Sequence, residues 1–186
     1  MTTPATWLPP ITVSTDPRHQ YFLRATYEGG HVRSDDRITK VGASIVDPRE
    51  EPWRLVAIGA NHVPHTVDVE DDELTARLQD RSWKTTAMTH AEPTAIAIAR
   101  ERGYDLKGFV MYMPWVPCTP CAEAIEKAGI AKLITHEAMI LKTPERWWES
   151  TAQGVLNLQR NGIDVEMYRG TIGGVVSVFN GEVWFP

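Results

Sequence analysis

The chain has 186 residues, 42% of them hydrophobic and 23% charged, with a formal net charge of −5. That length suits one domain with a sizeable core, and the acidic balance disfavours a long nucleic acid as ligand, because surfaces that track phosphates are basic. With only two cysteines, both used by the motif described below, no disulfide framework remains; residues 1–10 carry no leader-like basic or apolar run, and no later stretch spans a bilayer, so a cytoplasmic protein without membrane contact is expected.

Asp16 and Pro17 read as a helix start, an N-cap followed by a proline in the first turn. Residues 19–28 then carry Tyr21, Phe22, Ala25 and Tyr27, and Gly29-Gly30 is expected to stop that helix. Residues 40–46 and 53–60 are apolar runs flanking the turn-rich Asp47-Pro48-Arg49-Glu50-Glu51-Pro52, which predicts a hairpin of buried strands. Residues 61–89 show no clear period, and their acidic run Glu70-Asp71-Asp72-Glu73 reads as a solvated surface or a helix start rather than a cation site.

Residues 90–102 are rich in Ala and Ile, with Pro93 early and Gly103 behind, which predicts a helix. A strand over 109–113, a helix over 118–128 closed by Gly129, a strand over 131–135, a helix over 145–160 and a strand over 164–168 follow. Helical crossovers imply parallel strands. Residues 175–179 and 182–185 flank Asn180-Gly181 as a terminal hairpin. The predicted fold is a three-layer α/β/α arrangement: a five-stranded mixed sheet, first two strands antiparallel and last two parallel, plus the hairpin. The expected organisation is an N-terminal arm over 1–15, one domain over 16–170, and a hairpin extension of that domain over 171–186.

The chemistry lies in His90-Ala91-Glu92 and Pro117-Cys118-Thr119-Pro120-Cys121, a pattern that resembles the H-x-E … P-C-x-x-C signature of zinc deaminases. His90, Cys118 and Cys121 offer three ligands for one zinc ion per chain, which keeps a fourth tetrahedral position for water. Zinc brings the pKa of such a water to about 7. Glu92, two residues from a ligand, is placed to reach that water as the catalytic acid/base without binding the metal. Ligands and carboxylate all fall at the amino ends of two predicted helices, where free N–H groups favour anions. A Cys-x-x-Cys is also the pattern of a redox dithiol, though that motif follows the first strand of its fold. A four-cysteine site is excluded, since the chain has no further cysteine. A histidine taken alone is more often a packed or surface residue; the joint pattern reverses that reading.

The order of elements and the motifs together resemble the cytidine/deoxycytidylate deaminase superfamily, most closely its deoxycytidylate (dCMP) branch. The carrying residues are His19-Gln20-Tyr21-Phe22-Leu23, Arg33-Ser34, Val41-Gly42-Ala43-Ser44-Ile45-Val46, Gly59-Ala60-Asn61, the zinc motif, and Ala128-Gly129-Ile130 ahead of Lys132-Leu133-Ile134. The parallel final strand also fits that branch. The resemblance implies a cytidine-deaminase-like fold and assembly as a homo-oligomer, dimer to hexamer. It implies that Asn61 hydrogen-bonds the sugar or base, and that the backbone at Ala91 and Pro117 holds the ring's carbonyl and amino groups.

Departures from the branch mark the substrate pocket: Ala60 and His62 in the segment over 59–64 that closes the second strand, Thr94 where an Asn is common, and Pro114-Trp115-Val116 ahead of the cysteines. Trp115 is a candidate to stack on a base or, equally, a packing residue, and Trp147 and Trp148 are expected to pack or to meet another subunit. Arg33, Lys40, Arg81 and Lys84 are candidates for a 5′-phosphate, and His62 and His65 for substrate contact.

The expected function is zinc-dependent hydrolytic deamination of a small pyrimidine nucleotide, dCMP and water giving dUMP and ammonia. The alternatives are deamination of a nucleoside, a modified base, a purine, a riboflavin-pathway intermediate or a tRNA adenosine, and a non-catalytic zinc scaffold that would leave Glu92 without a task.

Overall fold

A computed structural model of the chain describes residues 5–64 and 71–186. In chain order these form β1 (Thr12–Ser14), α1 (Pro17–Arg33), β2 (Gly42–Asp47), β3 (Arg54–Ala60), α2 (Asp71–Gln79), α3 (Arg81–Ala87) and α4 (Ala91–Glu101). There follow β4 (Val110–Tyr112), α5 (Thr119–Ala128), β5 (Lys132–His136), α6 (Glu137–Ile140), a 3₁₀ turn over Glu145–Trp147, α7 (Trp148–Arg160), β6 (Asp164–Tyr168), β7 (Ser177–Phe179) and β8 (Glu182–Trp184).

Six strands share one sheet in the order β1-β6-β5-β4-β2-β3. β2 pairs antiparallel with β3 and β4, while β4–β5, β5–β6 and β1–β6 pair in parallel. Alternation along the strands assigns the two faces. Met111 and Leu133 join Ala95 and Ala99 of α4, Ile125 of α5 and Leu158 of α7 in one core. Their neighbours Tyr112 and Ile134 point the other way, onto Phe22, Leu23 and Tyr27 of α1. The result is three layers, with α1 on one side of the sheet and α4, α5 and α7 on the other. No described helix is long and apolar enough to cross a membrane.

The sheet has six strands rather than the predicted five, because Thr12–Ser14 adds a parallel edge to β6. The segment expected to be an arm is recruited by its apolar residues: Ala5, Leu8 and Ile11 are all buried in the main core. α1 also runs past its predicted stop. A Cβ on Gly30 would lie 2.6 Å from the Gly42 backbone nitrogen, so the glycine lets helix and sheet approach closely instead of ending the helix.

Residues 71–87 form two helices where no period was legible, and the described part of the acidic run begins the first of them. Short α6 was also absent from the sequence expectation. The hairpin forms as expected, but as a separate two-stranded sheet, β7–β8.

Candidate active site

His90 and Cys118 are the N-cap residues of α4 and α5, and neither side chain caps its own helix. Both side chains are therefore free to face a common point. Cys121 follows one turn into α5. Two features fix the start of α4. Gly59 on β3 lets the helix approach the sheet, since a Cβ there would lie 2.7 Å from the Ala91 carbonyl oxygen. A bridge pairs His62 with Thr89: His62 N–H donates to the Thr89 carbonyl at 3.0 Å, and Thr89 N–H to the His62 carbonyl at 2.8 Å. The residue before His90 is thus tied to the end of β3.

His90 Nδ1 lies 3.5 Å from Cys118 Sγ and 3.3 Å from Cys121 Sγ. The three ligand atoms all fall within 4.8 Å of one another. A tetrahedral zinc with its usual bond lengths puts a nitrogen and a sulfur ligand about 3.6 Å apart. Both nitrogen–sulfur distances fit zinc to within a few tenths of an ångström. The three groups are also coupled electrostatically. A hydrogen bond from Cys121, and then His90, holds the Cys118 thiol down at about 4. His90 is held up at about 9, chiefly by its bond with Cys118. The bond to Cys118 and burial push Cys121 upward.

Glu92 stands in the first turn of α4, 3% exposed, and burial raises its carboxyl above the ordinary value. It opens with His90, Ala91 and Cys118 onto a cleft of about 530 Å³. That volume suits a small molecule rather than a polymer. Trp115 and Trp147 line the same cleft, and Trp147 sets its ring edge-on to His90 with centroids 6.5 Å apart. The Trp115 indole N–H donates to Thr143 Oγ1 at 2.6 Å, which fixes the ring.

The substrate-contact candidates divide. Asn61, Ala91 and Trp115 line the cleft, whereas Thr94 and Pro117 do not. Thr94 Oγ1 donates to the His90 carbonyl at 2.8 Å and lies 3.3 Å from His62 Nδ1, so it faces the bridge at the end of β3. Pro117 is buried behind Cys118, with its carbonyl against Gly154 on α7. Asn61 lines the wall with its carboxamide fully engaged: Oδ1 accepts from Ser34 Oγ at 2.6 Å and Val41 N–H at 2.8 Å, while Nδ2 donates to the Thr39 carbonyl at 2.9 Å and Asp36 Oδ2 at 3.2 Å.

Among the candidate cations, Arg81 and Lys84 line the cleft and Arg33 and Lys40 do not; His65 lies outside the described residues. Trp148, expected to pack, stacks on Trp7 at 5.6 Å, but Trp147 faces the cleft instead. Sequence reasoning missed Arg146 and Asn180, which also line it. Burial, and then the charge of Arg81, lower Arg146. Neither arginine forms an ion pair among the described residues. The only signal for Arg146 in the sequence was its place beside Trp147.

Residues 16–137 match the family model described as the cytidine and deoxycytidylate deaminase zinc-binding region. The chain is similar to the deoxycytidylate deaminase of Homo sapiens, 33% identical over 125 residues, with the match covering 62% of each chain. It is also similar to the deoxycytidylate deaminase of Enterobacteria phage T4, 35% identical over 97 residues that cover 47% of this chain and 50% of the relative. The chain thus spans less than two thirds of the length of these relatives. Among solved structures, the fold is similar to that of the dCMP deaminase of cyanophage S-TIM5 in complex with dCMP and dUMP. That comparison has a TM-score of 0.58 and 19% identity, and covers 83% of this chain and 98% of the other.

Proposed function

Because the chain belongs to the cytidine and deoxycytidylate deaminase zinc-binding family, we propose that it is a hydrolytic deaminase of a pyrimidine nucleotide, converting dCMP and water to dUMP and ammonia. The observation that carries the chemistry is Glu92, a buried carboxyl opening onto the same cleft as His90 and Cys118. His90, Cys118 and Cys121 would hold one zinc ion, which when bound supplies Lewis-acid activation of water near neutral pH. The protons are the task of Glu92. Water provides the oxygen that bonds to the ring carbon bearing the amino group. Glu92 takes a proton from that water and passes it to the adjacent ring nitrogen. A second transfer through the same carboxyl protonates the amine, the carbon–nitrogen bond breaks, and ammonia leaves.

The remaining lining residues bind and orient. The first backbone N–H groups of α4, beginning at Ala91, suit the ring carbonyl, since a helix start leaves such donors unpaired. Trp115 and Trp147 offer aromatic faces to a base. Arg81 and Arg146 favour a nucleotide over a nucleoside, because two cations lining one cleft, with no ion pair among the described residues, are stabilised by a phosphate. The similarity to dCMP deaminases supports cytosine as the base.

Residues 16–170 form the catalytic unit on this reading, with 171–186 part of it. Use of both cysteines in the triad supports a reducing, cytoplasmic setting. A homo-oligomer is supported by the family and by Tyr21 and Val32, exposed apolar residues on α1. An ammonia-release comparison of dCMP, CMP, cytidine and adenosine tests the substrate. dCMP should be turned over fastest, and a purine as the sole substrate would overturn the pyrimidine reading.

A further inference from the structure

The hairpin that follows β6 ends on the cleft. Asn180 and Gly181 join β7 to β8 with φ of 52° and 82°, the two-residue turn that Asn-Gly favours. This turn is bound to the segment over residues 36–41 that forms one cleft wall. Lys40 N–H donates to the Val178 carbonyl at 2.9 Å, and Gly181 N–H donates to the Ile38 carbonyl at 2.8 Å. Asn180 N–H donates to Thr39 Oγ1 at 3.2 Å. Phe179 sets its ring edge-on to Trp115, centroids 5.4 Å apart. The tip of the hairpin is therefore held from two sides.

Held in this way, Asn180 lines the cleft as an exposed residue, and its carboxamide makes no hydrogen bond among the described residues. Asn61 is the contrast. Its two donors and both acceptor positions are all taken by Ser34, Asp36, Thr39 and Val41. The asparagine that the resemblance assigned to substrate supports the wall, and the one with a free amide comes from the hairpin, beyond the residues 16–137 that match the family. A turn alone accounts for an Asn with positive φ. It does not require that the turn be fastened to a cleft wall.

We propose that Asn180 is a specificity-determining residue that hydrogen-bonds the sugar of the bound nucleotide. This rests on the nucleotide-deaminase reading. With the base beside Ala91 and Glu92 and the phosphate at Arg81 and Arg146, the sugar falls between. Asn180 and Thr39 are uncharged polar residues of the lining, which suits hydroxyl groups.

The test is Asn180→Gly, which keeps a turn that tolerates positive φ and removes the side chain with its carboxamide. Titration with dUMP reads binding without turnover, and dCMP kinetics separate KM from kcat. The expected result is an unchanged melting temperature, dUMP binding and KM weakened about tenfold, and kcat within about twofold. If the wild-type protein binds dUMP and deaminates dCMP while the variant binds dUMP equally well, the role of Asn180 is overturned alone. If the wild-type protein does neither, the deaminase reading falls, and this inference with it.

Discussion

Lys84 Nζ on α3 lies 2.5 Å from Asp36 Oδ2, an ion pair whose ammonium side chain is 24% exposed and whose carboxylate is buried. The same carboxyl group accepts from Ile38 N–H at 2.9 Å, Thr39 N–H at 3.1 Å and Asn61 Nδ2 at 3.2 Å. The pair therefore fastens the helices over residues 71–87 to the cleft wall that Asn61 and the hairpin also support.

Lys84→Met leaves Asp36 buried without its cation. Breaking such a pair should cost roughly 1–3 kcal/mol, because the carboxylate keeps its other hydrogen bonds but loses its countercharge. Urea denaturation should show that loss, and the KM for dCMP should rise as the wall loosens. A variant as stable as the wild type would show that α3 is not fastened there.

Glu92→Gln preserves the shape of the side chain and removes its ability to carry a proton. Zinc content measured by atomic absorption should stay near one per chain, while kcat falls by about 10²-fold or more. Equal losses of zinc and turnover would make Glu92 a structural residue of the site instead.

Cys118→Ser removes one of the three proposed zinc ligands at the starts of α4 and α5. Metal affinity and folding stability should fall together, since the energy of metal binding is also folding energy. The wild type treated with chelator should show the same lowered melting temperature, and zinc should restore the wild type but not the variant.

Arg146→Ala and Arg81→Ala separate the phosphate from the rest of the substrate. Each should raise the KM for dCMP by about tenfold or more and leave kcat/KM for cytidine nearly unchanged. Equal losses on both substrates would place these arginines elsewhere in the reaction.

Asp47 gives a pH prediction far from the site. The hydrogen bond from Arg49 is the main cause that holds its carboxyl down at about 2. A group depressed on folding stabilises above its unfolded value and loses that contribution as pH falls through the folded one. The effect should be present above pH 4 and vanish towards pH 2. Arg49 is exposed, so solvent screening keeps the effect small. Asp47→Asn should flatten the stability curve over that interval, as acid titration of the melting temperature would show.

The metal triad was legible because its ligands lie at short spacing at helix starts, where residue type and local structure carry the same message. The parallel sheet was legible for a similar reason, since Leu133-Ile134 and the alternating Val165 and Met167 mark short strands on either side of a helix-like stretch. The cleft walls were legible only in part. Arg81 and Lys84 stood among the candidate cations, but Arg146 did not, and α2 and α3 are short and largely exposed, so no apolar period announces these helices. Gly29-Gly30 misled because a glycine that permits close packing reads in sequence like one that ends a helix. β1 was missed because a three-residue strand is defined by its partner β6 rather than by its own pattern. Asn180 announced a turn, but what the turn touches depends on tertiary contacts.

The most direct measurement of hydrolytic deamination is to incubate the zinc-loaded protein with dCMP in ¹⁸O-labelled water and to analyse products by mass spectrometry alongside released ammonia. The expected result is one ammonia per dUMP, with the heavy oxygen on the ring carbon that lost its amine, and no product from the Glu92→Gln variant. Unaltered dCMP with zinc bound at His90, Cys118 and Cys121 would contradict it.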